Sequence, residues 1–160
     1  MSVAFAKEES AETASETILP DRIISSHPNL VTASGLKALE AALDTARTAY
    51  EAAQAIEDVN ERRRRSAGPL RDVRYFSERM RTAQLQYPPS SNSVVVFGST
   101  VTYSRGDGQK QTYRIVGEDE ADPKSGTISY VSPVARALMG KAVGGVATVN
   151  GRELEVLSIA

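Results

Sequence analysis

The sequence predicts an α+β protein in which an antiparallel coiled-coil hairpin of two helices precedes a small antiparallel β-sheet domain with one short helix. Two observations support this prediction. In the first half of the chain, apolar residues recur at steps of three and four, which is the spacing of a helical seam. From Ser93 onward, β-branched residues dominate and the period shifts towards two, as in strands. We therefore divide the chain into residues 1–31, 32–87 and 88–160.

Residues 1–31 are predicted to form a disordered tail followed by an extended strap. The first twenty residues mix Glu, Ser, Ala and Thr with few large apolar side chains. Such a composition cannot bury enough surface to offset the entropy lost on ordering. The following run, LPDRIISSHPNLVT, contains Pro20 and Pro28, which interrupt regular structure. An extended strap is the expected conformation of this second part.

Residues 32–87 are predicted to form the hairpin. Thr32 or Ser34 can cap the first helix, whose apolar seam is expected at Leu36, Leu39, Leu43, Ala46, Tyr50 and Ala53. The run Ser-Ala-Gly-Pro at 66–69 is predicted to be the turn. The second helix would then begin near Pro69 and end before Pro88, with its seam at Val73, Phe76, Met80, Ala83 and Tyr87.

With the turn at 66–69, the tip of the hairpin is expected to be basic. Residues 32–87 carry ten basic and eight acidic residues. The residues assigned to the tip are Arg62, Arg63, Arg64, Arg65, Arg71 and Asp72. Two interpretations stay open: a solvated, charged helix end, or a surface that contacts phosphates, DNA included, or acidic protein side chains.

Residues 88–160 contain the strand-like runs VVVF, STVTYS, QTYRIVG, TISYVS, VATV and ELEVLSI. Residues 105–108, Arg-Gly-Asp-Gly, are predicted to form one hairpin turn, and Asn150-Gly151 predicts a two-residue type I′ turn. Pro133 is expected to start the short helix, and Gly140 to follow its end. Together these signals favour an antiparallel sheet.

The residue types argue against catalysis. The chain has no cysteine, which excludes thiolate metal sites, and its single histidine, His27, has no carboxylate pair nearby in sequence, which argues against a catalytic triad. Glu118, Asp119, Glu120 and Asp122 lack the spacing of a calcium loop and are expected to form a surface loop. We therefore predict no catalytic residue, metal or cofactor, and a binding module that is not an enzyme. Without a signal peptide or membrane-span pattern, a cytoplasmic, monomeric protein is expected.

Three segments, VFGSTVTY, YRIVGEDEAD and ISYVSPVARALMGKAVGG, resemble the C-terminal domain of the GreA/GreB transcript cleavage factors over about residues 95–159. The resemblance implies an FKBP-like fold without isomerase activity. It also implies binding to a coiled coil of the β′ subunit of bacterial RNA polymerase, at the rim of the secondary channel. The polymerase-binding loop falls on Ser132 and Pro133, with Ala135 and Arg136 behind it. Val131 stands where the family commonly has Asp or Asn.

The hairpin also resembles a Gre coiled coil, but the family's acidic tip, GDLxENAEY, has no match. Its Asp and Glu are taken to hold a magnesium ion that promotes hydrolysis of backtracked RNA. An alignment through Thr82, Ala83 and Gln84 deletes the tip, and one through Tyr75 places Gly68 and Arg71 at the acidic positions. Asp72 is the best acidic substitute. The resemblance thus implies an elongation regulator without cleavage activity; a cleavage-stimulating Gre factor and a short-armed, Rnk-like regulator of nucleoside diphosphate kinase remain alternatives.

Overall fold

A computed structural model describes residues 19–160. Most of the predicted disordered tail, residues 1–18, lies outside the described residues. The described chain forms two compact units, one of residues 19–25 with 39–81 and the other of residues 26–38 with 82–160. No helix within residues 19–160 is long and apolar enough to cross a membrane. We call residues 39–81 the helical arm, and residues 82–160 the sheet domain.

Two long helices confirm the predicted hairpin. Helix α1 spans Ala33–Gln54 and helix α2 spans Val59–Thr82, so that only residues 55–58 connect them. A connection this short returns the second helix antiparallel to the first. The 24 residues of α2 extend over about 36 Å at a rise of about 1.5 Å per residue.

The seam of α1 agrees with the sequence pattern. Its buried apolar side chains are Leu39, Leu43, Ala46 and Ala53. The helix also starts where the cap was predicted, because the Thr32 hydroxyl oxygen accepts the backbone N–H of Gly35 at 3.0 Å. That bond satisfies one of the donors that a helix leaves free in its first turn.

The predicted turn at 66–69 is wrong, since these residues lie inside α2. Ser66 is buried, and its hydroxyl oxygen accepts a hydrogen bond from Nε2 of Gln54 on α1 at 2.9 Å. Pro69 occupies the helix interior, where it has no N–H to donate to the preceding turn. The local preference of Gly and Pro for turns is overridden here by contact between the two helices.

The predicted end of the second helix is wrong by five residues. Helix α2 ends at Thr82, and strand β2, Gln84–Leu85, pairs in parallel with strand β1, Leu30–Val31. Backbone N–H groups of Gln84 and Gln86 donate to the carbonyls of Asn29 and Val31, both at 2.8 Å. Because this ladder draws the backbone out of the helix, Tyr87 leaves the seam and is 82% exposed.

The sheet domain contains a five-stranded sheet in the order β5-β4-β3-β7-β6. Its elements are β3 Thr100–Arg105, β4 Lys110–Val116, β5 Thr127–Ser129, helix α3 Pro133–Leu138, β6 Val146–Val149 and β7 Arg152–Ile159. The predicted sheet domain with one short helix is confirmed. The sheet is mixed, however, because β4 and β5 are parallel. Residues 117–126, which include a 3₁₀ turn at Pro123–Ser125, carry the chain across so that both strands run the same way.

Both predicted hairpin turns are confirmed. Asn150 and Gly151 have φ values of 50° and 76°, as a type I′ turn requires at its two central residues. The run VVVF, by contrast, is not a strand. Val95 donates its N–H to the Lys141 carbonyl at 2.9 Å and accepts from Gly140 at 2.8 Å. Since residues 140–141 belong to the turn after α3, this pairing does not extend into a ladder.

The core of the sheet domain is apolar and lies between the sheet and α3. Its buried members are Val95, Val101, Tyr103, Ile115, Ile128, Ala135, Leu138, Leu154 and Val156. Burial raises the pKa of the Tyr103 hydroxyl. This core holds the first turn of α3 against the sheet, which fixes the loop that precedes it.

Candidate functional site

The predicted polymerase-binding loop is a capped helix start. The Ser132 side chain accepts the backbone N–H of Ala135 at 3.3 Å, and Pro133 occupies the first helical position. The Ser132 N–H in turn donates to the Ser129 carbonyl at 3.0 Å. Proline restricts φ to the helical range and has no N–H that would need a partner. The loop is therefore held in one conformation.

The predicted site residues differ in how far their side chains are exposed to solvent. Pro133 and Arg136 are exposed, Val131 and Ser132 are half-buried, and Ala135 is 0% exposed. Ala135 packs in the core of the sheet domain, so that it positions the loop and offers no contact surface. Pro133 and Arg136 are the side chains that a partner could reach.

The strap adds a residue that the sequence analysis did not place at this site. His27 lies beside the loop, with its Nε2 atom 3.1 Å from Nη2 of Arg136. The Tyr130 hydroxyl donates to the carbonyl of Pro28, and the Tyr130 ring packs edge-on against Phe97 with centroids 5.7 Å apart. No sequence signal could identify His27, because it is 109 residues from Arg136 along the chain. We call Pro133, Arg136 and His27 the loop surface.

The predicted basic tip is wrong because the turn lies elsewhere. Residues 55–58, Ala-Ile-Glu-Asp, form the tip, and Glu57 and Asp58 are exposed there. Oδ1 of Asp58 accepts the N–H of Glu61 at 2.7 Å, which caps α2. The tip therefore presents two carboxylates in place of the expected cluster of arginines.

The four consecutive arginines lie in the first turns of α2. Arg64 and Arg65 both pair with Glu61, and the distance from Nε of Arg65 to its carboxylate is 2.7 Å. The hydrogen bond from Arg65 and then the charge of Arg64 hold the pKa of Glu61 below its usual value. Arg62 turns the other way and donates to the carbonyl of Ile56 at 3.2 Å. The structure thus separates residues that the sequence analysis grouped together.

Arg71 and Asp72 lie in the middle of α2, away from the tip. Arg71 lies 3.9 Å from the Asp72 carboxylate, while Arg22 of the strap lies at 3.2 Å. The guanidinium of Arg22 also lies 3.8 Å from the centroid of the Tyr75 ring. Arg74 pairs with Asp21 at 3.4 Å. Asp72 therefore anchors the strap to the arm.

The acidic loop after β4 has structural roles. The Glu120 carboxylate accepts the N–H of Thr32 at 3.1 Å and also its hydroxyl, at the start of α1. Asp122 caps the 3₁₀ turn by accepting from the N–H of Lys124 and the hydroxyl of Ser125. Within the described part of the chain, no group of three or more His, Cys, Asp or Glu side chains could hold a metal ion.

Comparison with known proteins places this chain beside one family. Residues 90–160 match the model described as "Transcription elongation factor, GreA/GreB, C-term". The GreA factor of Maricaulis maris is 42% identical over 93 residues, which are 54% of this chain and 59% of that protein. This chain thus spans less than two thirds of the length of the Maricaulis maris protein. The crystal structure of Gfh1, a GreA factor homolog of Thermus thermophilus, is 21% identical, with 84% of this chain and 99% of that chain covered and a TM-score of 0.39.

These relatives correct the prediction that the protein is not an enzyme. They are named GreA, and GreA stimulates transcript cleavage by RNA polymerase, which is a hydrolase-like activity. The tip was expected to lack carboxylates, which would exclude such an activity, but it contains Glu57 and Asp58.

A longer match includes the arm. The GreA factor of Beijerinckia indica subsp. indica is 38% identical over 116 residues, which cover 69% of each protein. This match extends well beyond the sheet domain and includes residues on the helical side of the chain. At this identity and coverage, the chain belongs to the GreA/GreB family of transcription elongation factors.

Proposed function

We propose that the protein binds bacterial RNA polymerase through the loop surface, at the β′ coiled coil beside the secondary channel, and there modulates elongation. The observation that carries this proposal is the exposed pair Pro133 and Arg136 on a capped helix start, within the residues that match the family model. The cytoplasm, where bacterial RNA polymerase acts, is the compartment that this function requires.

The loop surface has the chemistry of a small protein-binding site. Pro133 supplies a rigid apolar contact, and the Arg136 guanidinium can donate to carboxylates of a partner. His27 lies against Arg136, so that the strap holds this guanidinium in place. Half-buried Val131 extends the apolar part of the surface. Binding through such a surface should weaken moderately with salt, because one exposed cation contributes to it.

The test is co-purification of native polymerase with the full chain and two matched variants. Pro133→Glu places a bulky negative charge in the loop surface and should abolish co-purification. Pro123→Glu is the control, because Pro123 is also an exposed proline that starts a helical turn, but on the acidic loop. Retention of polymerase by Pro133→Glu, or its loss from both variants, would contradict the assignment of the site.

The tip favours a second candidate function, the stimulation of transcript cleavage. Glu57 and Asp58 project from the end of the arm, and Asp58 uses one oxygen for the Glu61 N–H, which leaves the other available. Magnesium is commonly held by one or two carboxylates together with phosphates. Glu57 and Asp58 fit that ligand type, and a magnesium ion held there would promote hydrolysis of RNA.

This second function is tested by the rate of 3′-fragment release from backtracked complexes at saturating magnesium. The full chain should accelerate release, and the double variant Glu57→Gln, Asp58→Asn should not. Glu51→Gln is the control, since Glu51 is an exposed acid on α1 below the tip. Equal acceleration by the double variant would show that the tip carboxylates have no part in cleavage.

A further inference from the structure

A groove of about 500 Å³ runs along the arm between its two helices. Four arginines of α2 line it, Arg62, Arg63, Arg71 and Arg74, and α1 contributes Tyr50. Among the described residues that line the groove, none is acidic. Four guanidinium groups around one concave surface create a strongly positive potential, which concentrates anions.

The arginines of this groove are only partly neutralised, since Arg74 forms an exposed ion pair with Asp21 at 3.4 Å, a kind of pair that contributes little. Arg62 donates to a neutral carbonyl, and Arg63 makes no ion pair within residues 19–160. Nε of Arg71 is buried without a hydrogen-bond partner, since its 3.9 Å distance to the carboxylate of Asp72 is too long for one. A buried donor of this kind calls for a bound ion, water or ligand. The groove therefore contains guanidinium N–H groups that can donate to a bound anion.

The lining also has an apolar part. Tyr50 is half-buried and presents an aromatic ring, and Leu70 contributes aliphatic surface beside it. From Arg63 to Arg74 the helix advances about 16 Å, enough for several phosphates in a row. The volume lies within the range of about 300 to 1,000 Å³ that is usual for small-molecule sites. Apolar walls next to phosphate-binding cations suit a ligand that combines a flat ring with phosphates.

We propose that this groove binds a nucleoside di- or triphosphate, with the phosphates at Arg63, Arg71 and Arg74 and the base against Tyr50 and Leu70. Guanidinium groups suit phosphate because they donate two parallel hydrogen bonds to its oxygens. The ring of Tyr50 can stack on a base of any identity. Leu19 also lines the groove, but no residue of the loop surface does, so that the proposal stands whether or not the loop surface binds polymerase.

The test is calorimetric titration of the full chain with GTP, ATP and inorganic tripolyphosphate at low salt. Saturable binding of one nucleotide per chain is expected, with weaker binding of tripolyphosphate. Arg63→Ala and Arg71→Ala should each weaken nucleotide binding about tenfold or more, the usual loss for a charge-assisted hydrogen bond. Tyr50→Ala should weaken GTP and ATP binding but leave tripolyphosphate binding unchanged.

Arg64→Ala is the matched control. Arg64 is adjacent in sequence and equally charged, but it pairs with Glu61 and does not line the groove. It should bind nucleotide as the unmodified chain does. Equal weakening by Arg64→Ala and Arg63→Ala would reduce the effect to net charge and overturn the proposal. A single-stranded RNA oligonucleotide is titrated in the same way, and binding of this RNA alone, or absence of nucleotide binding, would overturn the proposal as well.

Discussion

The sheet domain and the helical arm bury different kinds of side chain. In the sheet domain, Ile115, Leu138 and Val156 are at most 1% exposed and pack in one apolar cluster. In the arm, α1 buries the apolar residues Leu39, Leu43, Ala46 and Ala53, but the buried residues of α2 are Ser66 and Arg79, one small and polar and the other charged. Apolar close packing thus stabilises the domain that the family model matches. In the arm, only α1 contributes an apolar seam, while α2 buries polar and charged side chains.

The largest expected effect is at the apolar core. Leu138→Ala removes most of a side chain that is 1% exposed and belongs to the core cluster, and should lower the stability of the sheet domain by about 2 to 5 kcal/mol. Val73→Ala, at a half-buried position of α2, should lower the stability of the arm by about 1 kcal/mol. Hydrogen exchange resolved by peptide measures both. Equal losses would mean that the two regions are packed alike.

Alanine substitutions at two glycines should change stability by intermediate amounts and in opposite directions. A Cβ at Gly117 would clash with the backbone carbonyl oxygen of Leu30, so that Gly117→Ala should destabilise by about 1 to 3 kcal/mol. Gly68 lies inside α2 with no atom within 4 Å of an added Cβ. Gly68→Ala should stabilise the helix by about 0.5 to 1 kcal/mol. The measurement is the unfolding midpoint in urea; a loss for Gly68→Ala would indicate a contact that the structure lacks.

The smallest effect concerns the ion pairs of α2. Because the pKa of Glu61 is lowered in the folded protein, its stabilising contribution is complete above the usual glutamate pKa and is lost as pH falls through the lowered value. An NMR titration of the Glu61 carboxyl should show this lowered pKa. Arg65→Ala should raise it towards the usual value. Arg63→Ala should leave it unchanged, and an equal rise there would place Arg63 with Glu61 instead of in the groove.

The elements that could be predicted are those with strong local signals. The Asn150-Gly151 turn, the cap at Thr32 and the helix start at Pro133 each follow from residues close together in sequence. The arm was harder. Ser66, Gly68 and Pro69 favour a turn locally, and the cross-helix bond from Gln54 to Ser66 shows why a helix forms there instead.

The residues of the candidate sites could likewise be predicted only where the signal is local in sequence. Ser132 and Pro133 could be assigned to the loop because their cap geometry is local, whereas His27 could not, since it reaches Arg136 only through the fold. The groove could not be predicted either. Sequence grouped Arg62 with Arg64 and Arg65 by adjacency, while helical geometry directs Arg62 and Arg63 to the groove and Arg64 and Arg65 to Glu61.

The two-helix hairpin and the sheet domain could be predicted from the amino-acid order, because apolar periodicity and turn chemistry act over a few residues. The position of the hairpin turn and the charges at its tip depend on the folded structure. That structure places Glu57 and Asp58 at the end of the arm and Arg71 in a groove. The physical reason is that a helix terminates where packing between helices ends, and that limit depends on contacts such as Gln54 to Ser66, which no local pattern records.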